Sequence, residues 1–222
     1  MAEIITFQRP DGKSCSGYYS EPNDEGSSAP GVVVIQEWWG LNDQIKGVAN
    51  QLVDVGYRVL VPDLYKGEVT LEAAEAQHKM ESLDFEDATQ QDIRGAAQYL
   101  QKASPDVAVM GFCMGGVLTM LAAIHLPEVD AAISWYGLPP EGAGDPGDID
   151  IPLQGHFGEK DSFFPIAQVD KLEETLKDDE VAYEFYRYAA EHAFGNETGD
   201  SYNPEAKAQA WERSLDFLDK HL

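Results

Sequence analysis

Short apolar runs and segments of helical period alternate along most of this chain. At the start, "EIITFQ" (3–8) and "SGYYSE" (16–21) read as strands, and the "RPDG" turn (9–12) between them predicts an antiparallel hairpin. A loop, "PNDEGSSAPG" (22–31), follows. "GVVVIQ" (31–36) is a continuous apolar run of the kind found in strands buried on both faces. "DQIKGVANQLVDVG" (43–56) has helical period and stops at a glycine, and "YRVLVPD" (57–63) is the next strand. Residues 70–101 predict one or two helices, of which "DATQQDIRGAAQYLQ" is the clearer. The strand "VAVMGF" (107–112), a helix after Cys113 and the strand "DAAISWYG" (130–137) come next. A Pro/Gly/Asp-rich loop, "LPPEGAGDPGDID" (138–150), breaks the rhythm. The strand "IPLQGHFG" (151–158), the helix "PIAQVDKLEETLK" (165–177), the strand "VAYEFYRY" (181–188) and an amphipathic helix over 204–222 complete the chain.

Strand and helix in regular alternation predict an α/β fold over a single domain, 1–222. Its central sheet is mostly parallel, with helices on both faces and the hairpin added at the N-terminus. Such sheets bind ligands beyond the carboxyl ends of their strands. The residues standing there are Glu37, Asp63, Cys113, Asp161 and His192.

Gly111-Phe112-Cys113-Met114-Gly115 has the small–x–nucleophile–x–small spacing of a nucleophile elbow, with cysteine where serine is usual. The spacing has a steric cause: side chains at the flanking positions would collide with the strand or the following helix. The turn also aims the first helical N–H groups at the sulfur, where the Met114 amide could stabilise an oxyanion. A structural cysteine beside tightly packed glycines explains the pentapeptide equally well. Chain order favours the chemical reading, because an acid and then a histidine follow the nucleophile in elbow enzymes, as Asp161 and His192 do here. Taken alone, Asp161 could be a turn or N-cap residue and His192 an exposed loop residue. Of the other histidines, His156 lies inside a strand as a core or rim residue, and His78, His125 and His221 are expected at the surface. Trp38 and Trp39 are packing residues by default, and one of them could wall an apolar pocket. Cys15 has no partner in view.

Composition limits the alternatives. The 222 residues carry 40 acidic and 15 basic side chains, a formal charge of −25. That balance excludes partners that demand clustered Lys/Arg, so neither nucleic acid nor an anionic membrane surface is expected. No apolar run has the length of a membrane span, and the N-terminus lacks a secretory pattern. Two cysteines make no disulfide framework, so a reduced, cytoplasmic protein is the expectation. There is no phosphate-cradling glycine loop and no metal-ligand cluster, so no cofactor and no metal is expected. The partner is a small molecule and the protein a monomer on this reading.

With these residues assembled, the chain resembles the dienelactone hydrolase (carboxymethylenebutenolidase) family of the α/β-hydrolase superfamily. The motifs are "VVVIQEWWGLN", "GYRVLVPDLY", "VMGFCMGG", "WYG", "GEKDSFFP" and "EHAF", spread over nearly the whole sequence. A cysteine elbow with a glutamate after an earlier strand is fairly specific to that family. The resemblance implies Cys113 as nucleophile, His192 as base and Asp161 as its orienting acid. It also implies that Glu37 contacts the resting thiol and helps convert it to thiolate, and that the Trp38 and Met114 amides form an oxyanion hole. Trp39, Tyr65, Tyr136 and Asn196 are the candidates for substrate contact.

One departure stands out. Members that open dienelactone hold its carboxylate with two arginines. Asn196 stands at one of those places, and no arginine occurs between Arg58 and Arg94, where the other falls. Lys66 and Lys79 are the cations available there, without arginine's planar two-pronged donor geometry. With the charge of −25, this speaks against an anionic dienelactone as natural substrate. The expected reaction is cleavage of activated carboxylic esters or lactones through an acyl-thioester. Two other classes remain open: a redox or electrophile sensor using Cys113, and a non-catalytic scaffold of the same fold.

Overall fold

The computed structural model describes residues 2–23 and 28–222. Eight strands form one sheet: β1 (Ala2–Gln8), β2 (Ser14–Ser20), β3 (Gly31–Ile35), β4 (Arg58–Pro62), β5 (Val107–Phe112), β6 (Ala131–Trp135), β7 (Leu153–Gly158) and β8 (Tyr183–Tyr188). Their spatial order is β1-β2-β4-β3-β5-β6-β7-β8. The hairpin is antiparallel, pairing Phe7 with Cys15 and Thr6 with Ser16, and β2 joins β4 antiparallel. From β4 to β8 all pairing is parallel. Residues 24–27 of the expected loop at 22–31 lie outside the described residues.

Two helices cover one face, α1 (Asp43–Asp54) and α7 (Pro204–His221). Each starts at an asparagine whose side-chain oxygen accepts the N–H three residues on. Asn42 takes that of Ile45 at 3.1 Å and Asn203 that of Ala206 at 3.1 Å. The other face carries α4 (Arg94–Leu100), α5 (Met114–His125) and α6 (Ile166–Asp178). Every residue of β3, β4, β5, β6 and β7 is therefore buried, which is why β3 and β5 read as unbroken apolar runs. The polar Arg58 of β4 and Gln154 and His156 of β7 are buried with hydrogen-bond partners. The edge strand β1 is largely exposed and β8 half-buried. The helical region at 70–101 resolves into α2 (Ala73–Ser82) and a second rod. That rod runs from the short α3 (Phe85–Asp87) through a π-helical segment (Ala88–Ile93) into α4. No helix among the described residues is long and apolar enough to cross a membrane.

His156, in β7, is fully buried and ties α7 to the end of the sheet below the β8 loop. Its Nδ1 lies 2.9 Å from the Tyr188 hydroxyl, which in turn accepts from Arg213 at 3.0 Å. Its Nε2 lies 2.9 Å from both Gln154 Oε1 and Ser214 Oγ. A neutral ring donating from Nε2 satisfies this set, since Gln154 Oε1 can only accept. Burial and the Arg213 charge push the His156 pKa down to about 3. A base whose folded pKa is depressed leaves stability untouched above its unfolded pKa of about 6.5 and erodes it as pH falls toward the folded value. Between pH 7 and pH 5 this group alone removes about 2 kcal/mol of stability. Urea unfolding of His156→Gln at the two pH values should show a smaller loss than the parent, and equal losses would refute the assignment.

Candidate active site

Strand β5 turns into α5 at Cys113, whose backbone sits at φ 56°, ψ −114°. For a residue with a side chain this is strained geometry, seen where the surroundings over-determine it. The surroundings here are backbone. A Cβ on Gly111 would lie 2.0 Å from the Gly115 carbonyl oxygen, and one on Gly115 would lie 2.4 Å from that of Ile35. Only glycines let α5 approach β5 and β3 this closely. The Cys113 N–H donates to the Trp135 carbonyl at 3.0 Å, which pins the corner to β6. The Met114 amide, the first of the helix, favours the ionised form of the Cys113 sulfur.

Two loops at the same sheet edge bring Asp161 and His192 to the thiol. The loop after β7 and the loop after β8 are stitched together by backbone bonds, Glu159 N–H to the Tyr188 carbonyl at 2.8 Å and Lys160 N–H to that of Ala190 at 3.0 Å. Asp161 Oδ1 accepts from the Phe163 and Phe164 amides at 2.7 and 2.9 Å. Its Oδ2 lies 2.7 Å from His192 Nδ1, and His192 Nε2 lies 3.0 Å from Cys113 Sγ. A carboxylate at Nδ1 holds the proton there, so Nε2 is left as an acceptor facing the thiol. The rings of Phe163 and Phe164 flank the imidazole at 4.8 and 5.8 Å between centroids, and Tyr136 meets it edge-on at 5.3 Å. The line Asp161–His192–Cys113 can thus pass a proton from sulfur to nitrogen.

Glu37 sits beneath this line, buried at the end of β3. Its Oε1 accepts from the Tyr136 hydroxyl at 3.1 Å and its Oε2 from Asn196 Nδ2 at 2.6 Å. Asn196 is oriented in turn, its Oδ1 accepting from the Thr198 N–H at 3.0 Å and hydroxyl at 2.7 Å. Burial raises the Glu37 pKa, against the pull of Asn196, the nearby His192 and Tyr136. Burial, followed by the Glu37 charge, also holds the Cys113 thiol well above its ordinary value, with the Met114 amide working in the opposite direction. Burial and that charge both favour the neutral thiol over the thiolate.

Several expectations shift in detail. Among the described residues no hydrogen bond joins Glu37 to the thiol; the sulfur meets His192 instead. Tyr136 turns its hydroxyl to Glu37 and does not line the cavity. Tyr65 lies behind the elbow, its hydroxyl 3.3 Å from Met114 Sδ, also outside the cavity wall. Asn196 and Trp39 do line it, as does Trp38. Asp63, at the end of β4, lies apart, accepting from the Tyr65 and Gly67 amides at 3.2 and 2.6 Å.

The cavity over the thiol holds about 280 Å³ and is walled by Trp38, Trp39, Met80, Phe85, Val117, Phe163 and Phe164, with Asn196, Gly199, Asp200 and Ser201 beyond His192. Among the described residues no lysine or arginine lines it. Lys66 and Lys79 border a separate depression, and Lys79 is ion-paired with Glu68. Phe163 and Phe164 are additions to the expected set, marked in the sequence only by their place after Asp161 in "GEKDSFFP". Met80, Phe85 and Val117 carried no signal, because only packing brings their helices to the thiol.

A mostly parallel sheet with an antiparallel N-terminal hairpin, a tight strand-to-helix elbow and chemistry-bearing loops at its carboxyl edge define an α/β-hydrolase. The family model for the dienelactone hydrolase family matches residues 15–222. Two relatives named "Putative carboxymethylenebutenolidase" align along nearly their full length. The one from Aquifex aeolicus is 30% identical over 100% of both chains. That from Synechocystis sp. is 32% identical over 93% of this chain and 92% of its own. Among solved structures, a dienelactone hydrolase-like promiscuous phosphotriesterase from metagenomic libraries superposes with a TM-score of 0.79 at 24% identity, covering 99% and 98% of the two chains. Esterase 2 of Thermogutta terrifontis does so at 0.72 and 17%, covering 99% and 94%. The chain belongs to the dienelactone hydrolase family and is a hydrolase of that kind.

Because the thiol is held neutral, alkylation of Cys113 by iodoacetamide should rise about tenfold per pH unit from pH 7 to pH 9 without a plateau. Glu37→Gln removes the charge that opposes the thiolate and should speed alkylation at pH 8 about three- to tenfold. Rates followed by mass spectrometry decide it, and a plateau below pH 8 would contradict the electrostatic reading.

Proposed function

We propose that this protein hydrolyses activated, uncharged carboxylic esters or lactones through a covalent Cys113 intermediate. The observation that carries the reading is the hydrogen-bonded line Asp161–His192–Cys113 at a strained elbow. In the first half-reaction His192 Nε2 takes the thiol proton as sulfur adds to the substrate carbonyl carbon. The carbonyl oxygen gains the electron pair and is met by the Met114 and Trp38 N–H groups. The intermediate collapses, the C–O bond to the leaving group breaks, and His192 returns its proton to the departing oxygen. In the second half, water gives a proton to His192, adds to the thioester carbonyl, and releases the acid and the thiol.

Asp161 keeps the proton on Nδ1 and, with Glu37, supplies the negative charge that stabilises the imidazolium formed in each half. Tyr136 and Asn196 are positioning residues that hold Glu37 in place. A thiol kept neutral at rest is unsuited to oxidant sensing, which favours low-pKa thiols.

Sulfur narrows the substrate. Thiolate leaves a tetrahedral intermediate more readily than alkoxide, so alkyl esters revert, while enol, aryl and thiol esters go forward. A cavity wall without a cation disfavours a substrate carboxylate. For a common acetyl group, kcat/KM should be at least about 100-fold higher for the p-nitrophenyl ester than for the ethyl ester. Dienelactone should fall below the neutral aryl ester. Cys113→Ala should abolish turnover, and Asp161→Asn should lower kcat by about 100-fold or more. Equal rates for aryl and alkyl acetates, or an active Cys113→Ala, would defeat the proposal.

A further inference from the structure

Beside the cavity runs a second, larger space. It holds about 760 Å³ between α6 and the 138–146 loop, with Met80, Glu81 and Phe85 on its far side. Its buried lining is apolar, formed by Val117, Leu138 and Leu172, with Pro139, Pro140 and Pro146 along one side. Polar groups stand at the rim, where Lys171 pairs with Glu141 at 3.0 Å and both are exposed. The two spaces adjoin through four shared residues, Met80, Phe85, Val117 and Phe164.

The direction of this groove is informative. Of its lining residues only Phe164, whose ring flanks His192, approaches the histidine, and none comes from the segment that contributes Ala193, Asn196, Gly199, Asp200 and Ser201 to the cavity. A leaving group must sit within reach of His192 Nε2 to take its proton, so it occupies that polar end. The acyl portion of the same substrate must then point away from that segment, past Val117 and Phe164, into the groove. A small lactone fills a cavity of 280 Å³ and has no use for a further 760 Å³ of apolar space.

From this we infer that the substrate is an activated ester or thioester with an extended, uncharged, apolar acyl group lying in the groove between α6 and the 138–146 loop. The inference rests on the ester-hydrolase reading and adds the substrate class. Val117 and Phe164 are its specificity-determining residues, at the narrowing that an acyl chain must pass. Binding energy gained along the groove would be available to the reaction at the thiol.

The test is a chain-length series of p-nitrophenyl esters from acetate to decanoate. We expect kcat/KM to climb about 100-fold from acetate to octanoate. Thr175→Trp and Gln168→Trp place an indole in the groove from half-exposed and exposed positions on α6. Each should cut the octanoate-to-acetate ratio about tenfold. Calorimetry of p-nitrophenyl octanoate with Cys113→Ala gives a readout independent of turnover, with tighter binding than acetate expected and weakening when Thr175→Trp is added. Acetate cleavage through Cys113 with a flat or falling chain-length profile and equal binding would overturn the groove assignment while leaving the hydrolase reading intact. Octanoate binding that Thr175→Trp weakens, without turnover of any ester, would do the reverse.

Discussion

The approach of α5 to the sheet is the constraint on which the rest depends. Its first turn passes so close to β5 and β3 that a single methyl on Gly111 or Gly115 would overlap carbonyl oxygens. That contact forces Cys113 into the left-handed region, lifts its sulfur above the sheet edge and leaves it where the Met114 amide favours its ionised form. The strain is held by what surrounds it: a bond from Cys113 N–H to β6 and a helix buried along nearly its whole length. A looser corner would relax, and the sulfur would lose both its place above the sheet and its amide.

Around that corner the polar groups form two linked supports. One is the line from the Phe163 and Phe164 amides through Asp161 to His192. The other runs from Thr198 through Asn196 to Glu37 and on to Tyr136. The first ties the loop after β7 to that after β8, and the second ties the loop after β3 to β6 and again to the loop after β8. Buried polar groups satisfied in this manner specify one arrangement, since each loses a partner if any loop shifts. The same burial, with two carboxylates near the sulfur, raises the pKa of the thiol.

Much of this was legible along the chain, for identifiable reasons. Strands covered on both faces need no polar positions, so β3 and β5 declare themselves as apolar runs, and their ends mark the sheet edge where ligands bind. Tight backbone contact admits only glycine, so the elbow declares itself by spacing. Cys113, Asp161 and His192 then follow in an order set by strand succession. Strand boundaries moved by a residue or two, as at Arg58–Pro62 and Tyr183–Tyr188, because pairing partners, not local pattern, end a strand.

The tertiary structure decided what no local pattern encodes. Tyr136 and Tyr65, both near the site in sequence terms, turn their hydroxyls to Glu37 and Met114 and leave the cavity wall to Met80, Phe85 and Val117. Side-chain direction at a strand end depends on which neighbour offers an acceptor, and that neighbour comes from a distant segment. The partner of the thiol, the absence of a cation from the cavity among the described residues and the groove beside it share this origin. The chain carries its chemistry in residue type and order, because those obey local steric and topological rules. Its selectivity lies in surfaces that exist only once helices far apart in sequence have packed against one another.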